Sequence, residues 1–350
     1  AHRANIVNGA FNYVGLGVVN SGGTLYVTQI FMEAAPGSVA AVSIPSPLPP
    51  ADIRAERTSG ADRFATAAAI SQESFPSGAS TAFVAIAFDF PDALSAGPAA
   101  ADRRAPVLLT SRDSVPPATL GELRRLGPQQ VVLVGGPSAI SDSVGAEIRS
   151  ATGAEVIRLS GASRFETAAA IARFFATGSD LAYVATGRGF PDALAGGAAA
   201  AHLGAPILLT DRDVLPEATA AVLREIGPTE IVVLGGDAAV SPAVMDALRN
   251  IAPNVRRIAG ADRFATASAI AADAFPGSLS ATYLATGANF PDALAGAAAA
   301  GLAGSPLMLT QRDCVPASVR ALIDARDPDR LVLLGGQAAI GDAVAALVSC

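Results

Sequence analysis

Two hydrophobic patterns alternate along most of this chain. Short unbroken apolar runs, such as Val131-Val132-Leu133-Val134, have the form of strands buried on both faces of a parallel sheet. Between them lie longer, alanine-rich stretches with the spacing and punctuation of helices. Residues 153–251 show the order in full. A strand over 156–159 leads through Ser160-Gly161-Ala162-Ser163-Arg164-Phe165 into a helix over 166–175. A strand over 181–186 runs into 187–190, where Pro191 opens an Ala-rich helix. The strand over 206–210 is followed by Asp211-Arg212-Asp213 and a helix over 216–226. Gly227-Pro228 closes that helix, because glycine suits a left-handed cap and proline cannot continue the hydrogen-bond ladder. A strand over 231–234, a turn at Gly235-Gly236 and a helix over 242–251 complete the unit. Strands and helices in this alternation predict an α/β fold of βαβ units, with helices on both faces of a parallel sheet.

The unit occurs three times. Phe90-Pro91-Asp92-Ala93-Leu94 returns as Phe190-Pro191-Asp192-Ala193-Leu194 and as Phe290-Pro291-Asp292-Ala293-Leu294, a period of 100 residues (positions 90, 190 and 290). That period is too long for a solenoid and fits a small domain. It divides the chain into modules at 52–152, 153–251 and 252–350. The first strand of the first copy, Ile53-Arg54-Ala55-Glu56, is weak, and a looser module is expected there. Apolar positions recur by type only, as in Val107-Leu108-Leu109, Ile207-Leu208-Leu209 and Leu307-Met308-Leu309, which is how core positions behave. Residues that recur by identity fall in four loops that leave the C-terminal ends of the strands. The first carries Arg63, Arg164 and Arg263, each beside a glycine and a phenylalanine. The second carries Phe-Pro-Asp-Ala-Leu. The third carries Thr110, Arg112 and Asp113, repeated as Thr210, Arg212, Asp213 and as Thr310, Arg312, Asp313. The fourth carries Gly135-Gly136 and its copies. Open parallel sheets bind ligands along this edge, so identity concentrated there points to a ligand site used three times.

Each candidate residue has a structural reading beside the functional one. Asp62, Ser163 and Asp262 interchange before a helix, and helix capping accounts for them. Asp92, Asp192 and Asp292 follow a proline at the start of a helix, where the dipole stabilises a carboxylate by about 0.3–1 kcal/mol; a ligand role stays open beside that one. The paired glycines read as turn or close-packing residues, because no phosphate-binding pattern surrounds them. Arg63, Arg164 and Arg263 are harder to assign, since a cation at a helix start opposes the dipole. Two readings stay open: a salt bridge to a carboxylate such as Asp92 and its equivalents, or a bound anion or sugar. For Arg112-Asp113 and its copies the alternatives are an ion pair and a solvated turn.

Composition narrows the function classes. The chain has 350 residues, a hydrophobic fraction of 51% and a formal charge of −7, which argues against broad nucleic-acid binding. All 24 basic side chains are Arg, which favours planar, bidentate contact with anionic oxygens. The most apolar segment, residues 293–309, is interrupted by Gly296, Gly301, Gly304 and Pro306, so no membrane span is expected. Cys314 and Cys350 are expected to form neither a disulfide framework nor a metal site. No metal and no cofactor is expected. Neither His2 nor His202 recurs, and no nucleophile–base pair can be assembled from the recurring residues, so the chain is not read as an enzyme. A chain opening Ala1-His2-Arg3 reads as a fragment, and its lack of a targeting segment says nothing about location. Residues 1–35 read as the end of a different domain, with strand-like runs at 13–19 and 24–31 joined by Asn20-Ser21-Gly22-Gly23. The Pro-rich residues 36–51 read as an extended spacer.

The combined pattern carries a resemblance. Arg-x-x-Gly-Ala-Asp-Arg-Phe-x-Thr-Ala (57–67 and 257–267, with Ser163 the departure in the second copy) precedes Phe-Pro-Asp-Ala-Leu in each copy. Apolar-Leu-Leu-Thr and apolar-Leu-apolar-Gly-Gly follow in order. This resembles the cell-wall-binding repeat type 2 family over residues 52–350. The resemblance implies three Rossmann-like or Toprim-like modules in a pseudo-threefold ring within one chain, with no further oligomer required. It also implies non-covalent attachment of a secreted protein to the Gram-positive wall through anionic secondary polymers, such as teichoic-acid-like chains. The Arg, Asp and Thr residues above are the candidate contacts. His2-Arg3-Ala4-Asn5-Ile6, Val14-Gly15-Leu16-Gly17-Val18 and residues 26–31 are similar to the C-terminal third of bacterial CAP (SCP/PR-1-like) domains. In that family the histidine works with partners further upstream, so His2 alone is expected to be structural. Two other classes stay in view: an α/β enzyme acting on a nucleotide or phosphosugar, and a structural or adhesive surface repeat without a polymer site.

Overall fold

The computed structural model describes residues 13–21, 24–32 and 53–350, apart from 90 and 177. The chain divides into two units, Ala1–Ala51 and Asp52–Cys350. In the first, β1 (Tyr13–Ser21) and β2 (Thr24–Met32) form an antiparallel hairpin with Ser21 opposite Thr24, as the strand-like runs predict. His2 with the motif residues 2–6, the Pro-rich spacer 36–51 and Phe90 lie outside the described residues.

The second unit repeats one plan. In the first copy β3 (Arg54–Thr58), α1 (Arg63–Ser74), β4 (Thr81–Ile86), α2 (Ala96–Asp102), β5 (Val107–Thr110), α3 (Pro117–Leu126), β6 (Gln130–Val134) and α4 (Asp142–Thr152) alternate. The second copy runs β7 (Glu155–Leu159), α5 (Arg164–Phe175), β8 (Leu181–Thr186), α6 (Pro191–Leu203), β9 (Ile207–Thr210), α7 (Glu217–Ile226), β10 (Glu230–Leu234) and α8 (Pro242–Arg249). The third runs β11 (Asn254–Ile258), α9 (Arg263–Ala274), β12 (Thr282–Thr286), α10 (Pro291–Leu302), β13 (Leu307–Thr310), α11 (Ala317–Arg326), β14 (Arg330–Leu334) and α12 (Asp342–Ala345). Gly227 adopts the expected left-handed cap, φ +66°, after α7.

The sheets do not coincide with the copies. Each is four-stranded and parallel, and each takes its last strand from the next copy: β5-β4-β6-β7, β9-β8-β10-β11 and β13-β12-β14-β3. β3, nearly 280 residues from its partner in sequence, pairs Arg57 with Leu333 and Thr58 with Leu334, which closes the ring. Arg57 fastens this closure: its guanidinium donates to the carbonyls of Gly335 (2.9 Å) and Ile340 (2.7 Å) and pairs with Asp342 (3.1 Å). Arg158 on β7 and Arg257 on β11 make the equivalent bonds to Gly135 and Gly235.

Strand alternation distributes the core. On β4, Phe83 and Ala85 face the centre of the ring, while Ala82, Val84 and Ile86 face an outer layer built from α3 and α4. The three Ala-rich helices α2, α6 and α10 pack pairwise at the centre. Their small side chains let the backbones approach closely: a methyl group added at Gly301 would lie 2.4 Å from the Ala201 Cβ. α6 and α10 open at Pro191 and Pro291, but in the first copy the helix starts only at Ala96. Pro98 explains the difference. It has no N–H for the Leu94 carbonyl and its ring would crowd it, whereas the other copies have alanine there.

The cysteines correct the sequence reading, for Cys314 and Cys350 are joined by a disulfide. The last helix spans only Asp342–Ala345, where α4 has 11 residues, and the chain then turns back. The Val315 N–H donates to the Val348 carbonyl (2.7 Å) and the Cys350 N–H to the Val315 carbonyl (3.0 Å), which brings the two cysteines together.

Candidate functional site

The site is built where the first helix of one copy docks on the Ala-rich helix of the preceding copy: α5 on α2, α9 on α6, and, through ring closure, α1 on α10. Each of these first helices has the predicted cap. Asp62, Ser163 and Asp262 accept from the N–H groups of Ala65, Glu166 and Ala265. The next residue is the arginine that opposes the dipole. Its guanidinium is held by the second loop of its own copy, donating to the carbonyl of Ala87 (Arg63, 2.7 Å), Gly187 (Arg164, 2.5 Å) or Gly287 (Arg263, 2.5 Å).

The carboxylate on which each arginine acts belongs to the preceding copy. Arg164 acts on Asp92, Arg263 on Asp192 and Arg63 on Asp292. The three aspartates are largely buried at their helix starts. Each stands against the strand-end glycine of its own sheet: a methyl group added at Gly135, Gly235 or Gly335 would lie 2.9, 2.4 or 2.4 Å from the Asp92, Asp192 or Asp292 Oδ2. These glycines also have φ of +113°, +96° and +108°, so close approach and backbone conformation both require glycine there. Asp92 accepts a further hydrogen bond from Thr167 of the next copy.

Burial dominates the titration of all three. It raises the Asp92 carboxyl, with the Thr167 bond opposing, and raises Asp192, with the Arg263 charge opposing. It pushes Asp292 from 3.8 up to about 6, against the Arg63 charge. A raised carboxyl favours the folded state when protonated. Its contribution is therefore full below about pH 4 and is lost as pH rises past 6. Asp292→Asn removes that loss. The variant is expected to exceed the parent in stability above pH 7, by up to about 3 kcal/mol, and to match it below pH 4. Denaturant melts across this range check it, and a constant difference at all pH values would refute it.

Two clefts open at the junctions. One, of about 350 Å³, is lined by Asp89, Asp92, Ser138, Ser163, Arg164 and their neighbours from the first and second copies. The other, of about 530 Å³, is lined by Asp62, Arg63, Asn289, Asp292 and Arg312, from the first and third copies. Of the loop arginines, Arg312 reaches the larger cleft, while Arg112 and Arg212 lie in surface ion pairs. Arg112 donates to the Ser138 carbonyl (2.9 Å) and pairs with Asp113 (3.3 Å) on the surface, and Arg212 pairs likewise with Asp213 (3.2 Å). Thr110, Thr210 and Thr310 are 0% exposed, and their hydroxyls donate to the carbonyls of Ser114, Val214 and Cys314, so they shape the third loop from within. His202 stacks on Phe275 at 4.7 Å. Among the described residues no group of three or more His, Cys, Asp or Glu side chains is placed to hold a metal ion, and no helix is long and apolar enough to cross a membrane.

Two sets of residues were overlooked although the repeated motif contains both. Arg57, Arg158 and Arg257 bind one copy to the sheet of another. Thr66, Thr167 and Thr266 accept from the N–H groups of Gly60, Gly161 and Gly260 in the first loop of each copy. Recurrence by identity was the signal for both.

Comparison with known proteins finds the same three copies. The profile described as Cell wall binding domain 2 (CWB2) matches residues 57–145, 158–245 and 257–345. The chain is 32% identical over 295 residues to N-acetylmuramoyl-L-alanine amidase LytC of Bacillus subtilis (strain 168), covering 84% of this chain and 58% of that protein. It is 30% identical over 267 residues to the amidase enhancer of the same strain, covering 76% of this chain and 36% of that one. Among solved structures, Cwp8 from Clostridium difficile superposes with a TM-score of 0.77 at 27% identity, over 84% of this chain and 51% of that one. Cwp6 from Clostridium difficile does so with a TM-score of 0.81 at 24% identity, over 95% and 56%, and supports the fold. The chain thus spans little more than half, or less, of these relatives.

Proposed function

Because the chain belongs to the cell wall binding domain 2 family, we propose that residues 52–350 hold a secreted protein to the Gram-positive wall by binding an anionic secondary polymer at the three inter-copy junctions. Cell-wall binding itself follows from the family; the polymer's charge and the contact residues are our reading. One observation carries it. At each junction a recurring arginine, fixed by a loop carbonyl, meets a largely buried aspartate from the preceding copy, on the sheet edge where parallel folds bind ligands.

The chemistry suits an acidic polymer. A guanidinium anchored through one nitrogen keeps other N–H groups for an anionic oxygen, and a charge-assisted bond of that kind contributes about 1.5–3 kcal/mol. An aspartate with a raised pKa reduces the negative charge facing the ligand as pH falls towards 6. Three weak sites on one rigid ring can engage successive units of a repeating chain and multiply their affinities. The loop arginines Arg112, Arg212 and Arg312 are paired with Asp113, Asp213 and Asp313, so they offer N–H donors to the polymer and not net positive charge. The buried Thr110, Thr210 and Thr310 act through loop shape.

We read the β1–β2 hairpin as the end of a CAP-like domain, supported by its antiparallel pairing, which sets it apart from the parallel modules. The decisive measurement for polymer binding is retention of the full chain on purified walls before and after chemical extraction of the anionic polymers. Retention is expected to fall on extraction and with added salt. Unchanged retention on stripped walls would end this reading.

A further inference from the structure

The three junctions are chemically alike but their surroundings differ, and one difference is at residue 88. Phe88, in the loop after β4, is 62% exposed, although the chain elsewhere buries most of its large apolar side chains. Two neighbours hold the ring in place. Phe64 meets it edge-on at 5.9 Å and 73°, and the Arg63 guanidinium carbon lies 5.0 Å from its centroid. The second copy has Arg188 there, tied to Asp211 at 2.6 Å, and the third has Ala288. A fixed, exposed aromatic ring thus adjoins the same arginine that lines the 530 Å³ cleft with Asp62, Asn289, Asp292 and Arg312.

We propose that Phe88 is a stacking surface for a sugar ring, making the junction of the third and first copies a subsite for a pyranose that bears or adjoins an anionic group. The inference rests on the polymer-binding reading above and specifies one of its sites. A pyranose is amphipathic. One face presents C–H groups of slight positive charge, which match the negative face of an aromatic ring. Its edge presents neighbouring hydroxyls, which match the planar acceptors and donors of Asp, Asn and Arg. Arg63 sits between these two environments, over the ring and in the cleft. A polyol phosphate chain offers the acid group but no flat C–H face, so Phe88 gives this junction a preference that the other two lack.

The test compares the full chain with its Phe88→Tyr, Phe88→Leu and Leu302→Ala variants, for retention on purified Gram-positive walls with and without their secondary polymers. Leu302, 41% exposed at the end of α10, controls for general loss of surface hydrophobicity. Phe88→Tyr is expected to keep retention on intact walls, Phe88→Leu to lose it roughly three- to tenfold, and Leu302→Ala to match the parent. Equal retention of Phe88→Leu and the parent on polymer-bearing walls overturns the stacking role while leaving polymer binding in place. Parent retention that ignores polymer extraction removes the polymer reading itself. Saturation-transfer NMR on the unaltered chain gives a second measure that does not depend on a variant's folding. Methyl glucuronide is expected to receive saturation at its ring C–H protons more strongly than glycerol phosphate does, and the reverse order overturns the proposal.

Discussion

Replacing Arg63, Arg164 and Arg263 together by Gln is expected to lower retention on polymer-bearing walls by about 10²–10⁴-fold, the range over which linked weak sites multiply one another. A single replacement is expected to cost far less, because two junctions still hold the polymer. Each arginine also supports a loop through the Ala87, Gly187 or Gly287 carbonyl, so folding has to be followed separately by circular dichroism and thermal midpoint. The triple Lys variant separates charge from geometry. Lysine keeps the cation but loses the planar fork, and intermediate retention is expected. A triple Gln protein that folds normally and binds intact walls like the parent would rule out the junction arginines as contacts and favour an adhesive repeat with no polymer site.

The second large effect concerns stability. Arg57→Ala is expected to destabilise the ring by about 2–4 kcal/mol, since it removes charge-assisted bonds to the Gly335 and Ile340 carbonyls and the contact with Asp342. At about 2–4 °C per kcal/mol for a domain of this order of size, the midpoint should fall by roughly 4–16 °C. Removing residues 53–58 altogether should do more. β14 would become an open edge, the Gly335 N–H would lose the Thr58 carbonyl it now donates to at 2.9 Å, and self-association through that edge is expected in size-exclusion chromatography. A monomeric, fully stable protein lacking 53–58 would mean that β3 is dispensable and that the ring is held by its central helices alone.

Much of the architecture is legible from residue order. The strand expected at 181–186 is β8, and the caps at Asp62, Ser163 and Asp262 form as their chemistry requires. The helix-start proline is also correct in two of three copies, and Pro98 supplies the reason for the exception. The exchange of strands between copies is less accessible. The run at 156–159 is followed closely by the next helix and preceded closely by α4, so its neighbours in sequence allow either assignment. Geometry decides it: β6, α4 and β7 form an adjacent parallel crossover, which leaves β7 in the sheet of the copy before it. From that follows the partnership the residues could not reveal, in which each arginine works on the aspartate of the preceding copy. The disulfide was hidden for a similar reason. Sequence separation of 36 says nothing about a tail that turns back along Val315.

Ring closure by β3 has a mechanical side. β3 is the first described strand after residues 33–52, so a pull from anything joined upstream reaches the ring at the Arg54 end of that strand. Ligand contacts at the loops would hold the opposite, C-terminal edge. Tension between the two runs along the strand axis and loads all the β3–β14 hydrogen bonds in shear at once, with Arg57 as a cross-pin, where a pull across the strands would break them one at a time. If the loops hold the wall, the clasp of the ring also carries the tension, and the β3–β14 bonds are the first to resist it.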